Sequence, residues 1–284
     1  MFKCIAIDMD GTLLNSNQQI SAENKAAIEK AQKQGVEVVV ATGRSYEEAI
    51  FVLNEGGIEC PIICANGADV RSKDGSLIAT NPLPNELVEK AATILRDLGI
   101  YFEVYTNKGT YTNNEAKAIS AIVDIFASAN PEAPMEMLLE GAKKRFSKGL
   151  VHIVDDYDTL FADDEHQIYK LLAFSLDEAE QASGKEALQA FPGLAISSSG
   201  HLNIEISSVD AQKGVALEAF VKARGIELSE TMAIGDNGND LSMFARVGRA
   251  VAMGNAGFEI QMECDVVTGT NDEHGVAQAI LEVL

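Results

Sequence analysis

The sequence predicts an α/β protein: a Rossmann-like core of parallel strands and helices into which a smaller α+β module is inserted. Three observations predict it. Short apolar runs ending in polar residues alternate with helix-period segments from the start of the chain, the style changes around Asn81, and the first style returns after Asp210. A chain of 284 residues has room for a core with a large insertion. The expected division is residues 1–82 and 208–284 for the core and 83–207 for the inserted module.

FKCIAID is an apolar run closing on an acid, the form of a buried parallel strand whose carboxyl end carries chemistry. Ser21 suits the N-cap of a helix reaching Gln34, in which Ala27, Ile28 and Ala31 recur at helical spacing before a stop at Gly35. VEVVVATGR reads as the second strand, a helix from Ser45 to about Asn54 follows, and PIICANG reads as the third strand. This βαβαβ order implies a parallel sheet with helices on both faces. Beyond NPLP, helices near 85–98, 114–129 and 177–191 alternate with the strand-like runs YFEVYT, QIYKLLAFS, LAISSS and HLNIEIS. A helix at 211–223 and apolar strands MAIGD, RAVAM and CDVVT then restore the core. There is no internal repeat to suggest a solenoid.

Composition narrows the partners. Forty-three acidic against twenty-two basic side chains give a formal charge of −21, which repels nucleic acid and anionic lipid and leaves small molecules as the expected ligands. No apolar run is long enough to span a bilayer and MFKCIAID lacks a signal-peptide layout, so the cytoplasm is the expected location. Cys4, Cys60, Cys64 and Cys264 lie in apolar stretches without redox or zinc spacing and read as core thiols. No sequence feature calls for a particular oligomer. An anionic substrate would require locally concentrated positive groups or a bound metal.

Four segments carry candidate chemistry. In Asp8-Met9-Asp10-Gly11-Thr12, two carboxylates stand just beyond the first strand, where open α/β sheets place ligands. Such a pair needs a cation or an acid/base role, although Asp and Gly are equally ordinary in a turn. Thr42-Gly43-Arg44 ends the second strand and could bind an anion with its hydroxyl and amides. Asn66-Gly67 ends the third and is either a turn or a substrate contact. Lys213 is expected in the first turn of its helix with Asp210 as N-cap, a position that disfavours a cation unless an anion sits there too. Gly235-Asp236-Asn237-Gly238-Asn239-Asp240 lacks the downstream glutamate of a calcium loop, and its oxygen-rich character suits magnesium.

Taken in order, DMDGTLL, ATGR, the helix-opening Lys213 and GDNGNDLSMF resemble the haloacid dehalogenase superfamily over the whole chain. The long insertion, ICANGA, VAMGNA and TNDEHGVAQAI resemble its Cof-type sugar-phosphatase group with an α/β (type IIB) cap, except that His274 stands where that group usually has aspartate. The resemblance implies a magnesium-dependent phosphatase acting on small phosphorylated metabolites such as sugar phosphates. Asp8 would be the nucleophile and Asp10 the general acid and base. Mg2+ would be held by Asp8, the Asp10 carbonyl and Asp236, with Asp240 beside them, while Thr42, Gly43, Lys213 and Asn239 would bind the phosphoryl group. Arg44 and Asn66 are candidate substrate contacts, and Tyr105, Tyr111, Lys170 and His201 are polar or aromatic residues of the expected cap. A phosphomutase would keep every catalytic residue, but the acidic module argues against a bisphosphorylated intermediate. A phospho-ligand sensor could dispense with Asp8 or Asp10, and both are present.

Overall fold

In the computed structural model, which describes residues 2–129, 135–199 and 203–284, the chain divides into two compact units, Met1–Thr80 with Gln212–Leu284, and Asn81–Ala211. The strands in chain order are β1 Cys4–Ile7, β2 Glu37–Ala41, β3 Ile62–Cys64, β4 Asp69–Arg71, β5 Leu77–Thr80, β6 Tyr101–Thr106, β7 Gly109–Thr112, β8 Val151–Ile153, β9 Ile168–Phe174, β10 Leu194–Ser197, β11 Asn203–Ser208, β12 Thr231–Gly235, β13 Arg249–Ala252 and β14 Val266–Val267.

The first unit is built on a sheet of order β14-β13-β12-β1-β2-β3-β4-β5. Its pairs are parallel from β14 to β3, and an antiparallel hairpin, β4 and β5, extends one edge. Side chains alternate across the sheet. Ile5, Ile7, Val38, Val40, Ile62, Met232 and Ile234 join one buried cluster with Ala27, Ile28, Leu53 and Ile280. Cys4, Ala6, Val39, Ala41, Ile63 and Ala233 join the other with Leu217, Phe220 and Met243. Burial on both faces explains why these strands read as continuous apolar runs. Three thiols are fully buried and Cys264 is half-buried. Burial pushes Cys4 and Cys60 up to about 12, which removes thiolate reactivity.

Local signals set the helix ends. Ser21 Oγ accepts from the Asn24 amide at 3.2 Å ahead of the helix Ala22–Lys33, and Gly35 follows with φ of 82°. Ser45 and Glu48 close a reciprocal capping box on the helix Tyr46–Gly56. The helix Lys213–Lys222 corrects one expectation: its N-cap is Gln212 and not Asp210. A turn from Ser208 to Ala211, in which Ser208 Oγ also accepts from the Asp210 amide at 3.3 Å, uses Asp210 before the helix begins.

The second unit is a six-stranded sheet of order β10-β11-β9-β6-β7-β8, antiparallel except for β7 with β8. One face, with Phe102, Val104, Leu171, Ala173, Ile204 and Ile206, packs on residues of the helices Asn85–Asp97 and Glu178–Gln189. The other face is polar. Lys170 pairs with Glu205 at 2.6 Å and lies 4.6 Å from the Tyr105 ring centroid, all three buried, and Arg145 reaches Glu103 at 3.2 Å. Tyr111 instead lies tilted against the His152 ring and edge-on to that of His166, with ring centroids 5.1 and 5.5 Å away. His201 lies outside the described residues. The helix Met135–Ser147 and strands β7 and β8 were not expected from the sequence. No helix among the described residues is long and apolar enough to cross a membrane.

Candidate active site

Strands β12, β1, β2 and β3 are neighbours and parallel, so their carboxyl ends share one edge of the sheet. That edge brings together Asp236 after β12, Asp8 after β1, Thr42 to Arg44 after β2, and Asn66 after β3. Asp8 is fixed by its amide, which donates to the Ile234 carbonyl at 2.9 Å. The loop from Met9 to Leu13 is a turn wider than α, because the amides of Leu13 and Leu14 donate five residues back to Asp8 and Met9.

Gly11 makes this turn fit. Its φ is 75°, and a Cβ there would lie 2.4 Å from Asp236 Oδ2, so both backbone and contact demand glycine. Thr12 Oγ1, next in the chain, donates to Asp236 Oδ1 at 2.8 Å. Gly11→Ala is therefore expected to cost about 1–2 kcal/mol of stability from the left-handed backbone. It should also displace Asp236 and slow any reaction at this site at least about tenfold, as thermal unfolding and steady-state rates can check. An unchanged rate would show that the position of Asp236 is not used.

Lys213 is fully buried and bridges two acids, donating from Nζ to Asp8 Oδ1 at 2.5 Å and to Asp240 Oδ1 at 2.7 Å. The other Asp240 oxygen accepts the backbone amides of Asp236 and Asn237 at 3.0 and 3.1 Å. Asp240 thus locks the loop after β12 and orients the lysine at the same time. Gly235 lets it approach, since a Cβ there would meet Asp240 Oδ2 at 2.4 Å.

Asp8, Asp236 and Asp240 present oxygens all within 4.8 Å of one another. Burial, then the Asp240 charge, pushes the Asp8 carboxyl well above the usual range despite Lys213. Burial and Asp240 likewise raise Asp236 to about 7. Burial opposes the charged form of Lys213, but Asp240 and Asp8 outweigh it and hold the ammonium above its ordinary value. Fully ionised, three carboxylates against one ammonium would carry two net negative charges, a state that burial resists without a further cation. A hard divalent cation with oxygen ligands matches that donor set in both charge and chemistry.

The remaining candidates occupy the rim. Thr42 is buried, and its Oγ1 accepts the Arg44 amide at 3.1 Å. Gly43 is half-buried beside it. Asn66, left-handed with φ of 59°, and Asn239 are buried, and Asn239 Nδ2 donates to Asn66 Oδ1 at 3.4 Å. The Asp10 carboxylate is outside the group of three acids and is gripped by Arg44. His274 also lies outside it; with φ of 60° it precedes the final helix, its Nδ1 3.6 Å from Glu23.

Sequence reasoning assigned no role to Thr12, Asn255, Asn271 or Asp272. Asn255 Nδ2 donates to the Gly11 carbonyl at 2.8 Å and Asn271 Nδ2 to that of Leu14 at 2.9 Å. Asn255 Oδ1 accepts the Asn271 amide at 3.0 Å, and Asp272 accepts the Ser16 amide at 2.9 Å. These residues buttress the loop that carries Asp8 and Asp10. The motifs VAMGNA and TNDEHGVAQAI pointed to these stretches without a mechanism.

A family model of haloacid dehalogenase-like hydrolases matches residues 5–280. Phosphatase YwpJ of Bacillus subtilis (strain 168) is 38% identical over 284 residues, covering 99% of this chain and 100% of that protein. From the same organism, 5-amino-6-(5-phospho-D-ribitylamino)uracil phosphatase YwtE is 39% identical over 284 residues, covering 99% and 98%. The solved structure of a haloacid dehalogenase-like hydrolase from B. subtilis matches with a TM-score of 0.93 at 38% identity, covering 99% of this chain and 100% of the other.

Proposed function

This chain is a phosphatase belonging to the haloacid dehalogenase-like hydrolases, and from that premise we propose that it uses Mg2+ to hydrolyse small phosphorylated metabolites, sugar phosphates or similar phosphomonoesters, through an aspartyl-phosphate on Asp8. The observation that carries this reading is the buried Lys213 ammonium bridging Asp8 and Asp240. One side chain thereby orients a nucleophile and supplies a positive charge for phosphoryl oxygens.

In the proposed sequence Asp8 attacks phosphorus in line, and the bond to the leaving oxygen breaks as the aspartyl-phosphate forms. Asp10 delivers a proton to that leaving oxygen. Asp10 then takes a proton from water, whose oxygen attacks phosphorus and releases inorganic phosphate, restoring Asp8. Lys213 steadies Asp8 and, with Thr42, Gly43 and Asn239, surrounds the transferring group. Asp8, the Asp10 carbonyl and Asp236, with Asp240 beside them, would hold the metal. Bound Mg2+ would supply Lewis-acid stabilisation of the phosphoryl charge. Residues 83–207 are proposed to carry substrate selectivity. The relative YwtE is named for a phosphoribityl compound, a phosphomonoester of a polyol and thus of the proposed class.

Phosphate release from a panel of sugar phosphates, nucleotides and pyridoxal phosphate tests the reading. Release is expected with Mg2+ and should fall at least about a hundredfold on chelation, returning when the ion is restored. Full activity in chelator would overturn the metal assignment, and transfer to a second sugar hydroxyl without release of phosphate would favour a phosphomutase.

A further inference from the structure

Arg44 stands in the motif that ends β2, where a phosphate or substrate contact is the natural expectation, yet its guanidinium is committed elsewhere. Nε donates to Asp10 Oδ2 at 2.8 Å and Nη2 to Asp10 Oδ1 at 2.5 Å. This fork-to-fork pairing fixes the plane as well as the position of a carboxylate. Nη2 also donates to Gln18 Oε1 at 2.6 Å.

Gln18 is itself held in an uncommon conformation. Its φ is 58°, a left-handed backbone that persists in a non-glycine residue when the surroundings enforce it. Here Asn15 enforces it. Its carbonyl accepts the Gln18 amide at 2.9 Å, its own amide donates to the Gln19 carbonyl at 3.0 Å, and its Oδ1 accepts the amides of Asn17 and Gln19, each at 3.0 Å. The result is a tight turn presenting one amide oxygen to the guanidinium.

The Asp10 side chain is 45% exposed and that of Arg44 is 21% exposed. A pair this open contributes little to stability, so a bidentate grip with a third anchor is better explained by orientation. A carboxylate that must deliver a proton to one oxygen and take one from another must keep its place in both steps.

We propose that Gln18 and Arg44 form a positioning clamp for Asp10, in which Gln18 orients the Arg44 guanidinium and Arg44 holds the Asp10 carboxylate for proton transfer. This rests on the reading of Asp10 as the proton carrier. Arg44 is then a positioning residue, and its loss acts on kcat more than on KM.

The test compares an alkyl phosphomonoester, whose leaving oxygen needs a proton, with 4-nitrophenyl phosphate, whose leaving group departs without one. Native protein, Arg44→Met, Arg44→Lys, Gln18→Ala and Asp10→Asn are assayed with Mg2+ by steady-state and rapid-quench kinetics. Arg44→Met is expected to lower kcat on the alkyl ester about a hundredfold with KM within about twofold. On 4-nitrophenyl phosphate it should keep a fast first turnover, seen as a burst of about one nitrophenolate per protein molecule followed by slow dephosphorylation. Arg44→Lys should recover little, because an ammonium cannot grip both oxygens. The exposed Gln18→Ala should show the same pattern with a kcat fall of roughly threefold to tenfold. A raised KM with unchanged kcat in Arg44→Met would make Arg44 a substrate ligand and overturn the clamp. An equal loss on both esters, first turnover included, would also overturn it. Asp10→Asn separates the two claims. If it turns over the alkyl ester normally, the proton-carrier reading fails and takes the clamp with it; if it shows the split pattern and Arg44→Met does not, the clamp alone fails.

Discussion

Asp8→Asn is expected to lower phosphate release by about 10⁴-fold or more while leaving the protein at least as stable as before. The two effects have one source. An amide oxygen can still accept from Lys213 Nζ, which lies 2.5 Å from Asp8 Oδ1, so the packing survives. The carboxamide cannot form the acyl phosphate, so the chemistry does not. Without a divalent cation the native site also holds three close acids beside a single buried ammonium, and burial and Asp240 push Asp8 well above its ordinary range, so ionising it there costs stability. The amide is neutral throughout and carries no such cost, so the thermal midpoint measured in chelator should hold or rise. Activity lost with stability kept is the mark of a residue retained for function at a cost to the fold. A variant that unfolds early would mean that Asp8 is structural.

Lys213→Met is expected to do the opposite to stability and much the same to activity. The methionine fits the space of the lysine stem but leaves Asp8 and Asp240 facing each other without their shared cation. Breaking a buried ion pair from one side costs about 3–5 kcal/mol. Proton uptake by the cluster should soften that loss, since burial and Asp240 already hold Asp236 near 7. Phosphate release should fall by about 10³-fold. Mg2+ should raise the thermal midpoint of Lys213→Met more than that of the native protein, because the ion would replace part of the missing charge. Equal shifts in the two proteins would show that the metal binds away from the three acids.

Much of the core could be read from the sequence because its signals are local. Ser21, Gly35 and Ser45 mark helix ends through bonds within a turn of themselves, and apolar runs mark strands buried on two faces. The same locality explains the failures. β4 and β5 form a short edge hairpin with Leu77 and Ile78 exposed, so no alternation or buried run announces them. Asp210 is a favourable cap residue in isolation, yet the Ser208 turn takes it and leaves Gln212 at the helix start.

The candidate site divides along similar lines. Its positions were legible because parallel neighbouring strands deliver their carboxyl ends to one edge. Its partnerships were not, because they join residues far apart in the chain. Lys213 meets Asp8 across 205 residues, Thr12 meets Asp236 across 224, and Asn271 reaches Leu14 across 257. Strand register and helix rotation decide which of these side chains touch, and motif spacing carries neither. Arg44 is one example, since nothing in its motif announces the Asp10 carboxylate that the fold places against it.

On the proposed mechanism Asp8 carries the phosphoryl group between the two displacements. Acid quenching during turnover, followed by peptide mass spectrometry, tests it most directly. One phosphoryl group is expected on the peptide containing Asp8, absent from Asp8→Asn. Phosphate release at native rates with no phosphorylated peptide, or with the group on another residue, would contradict it.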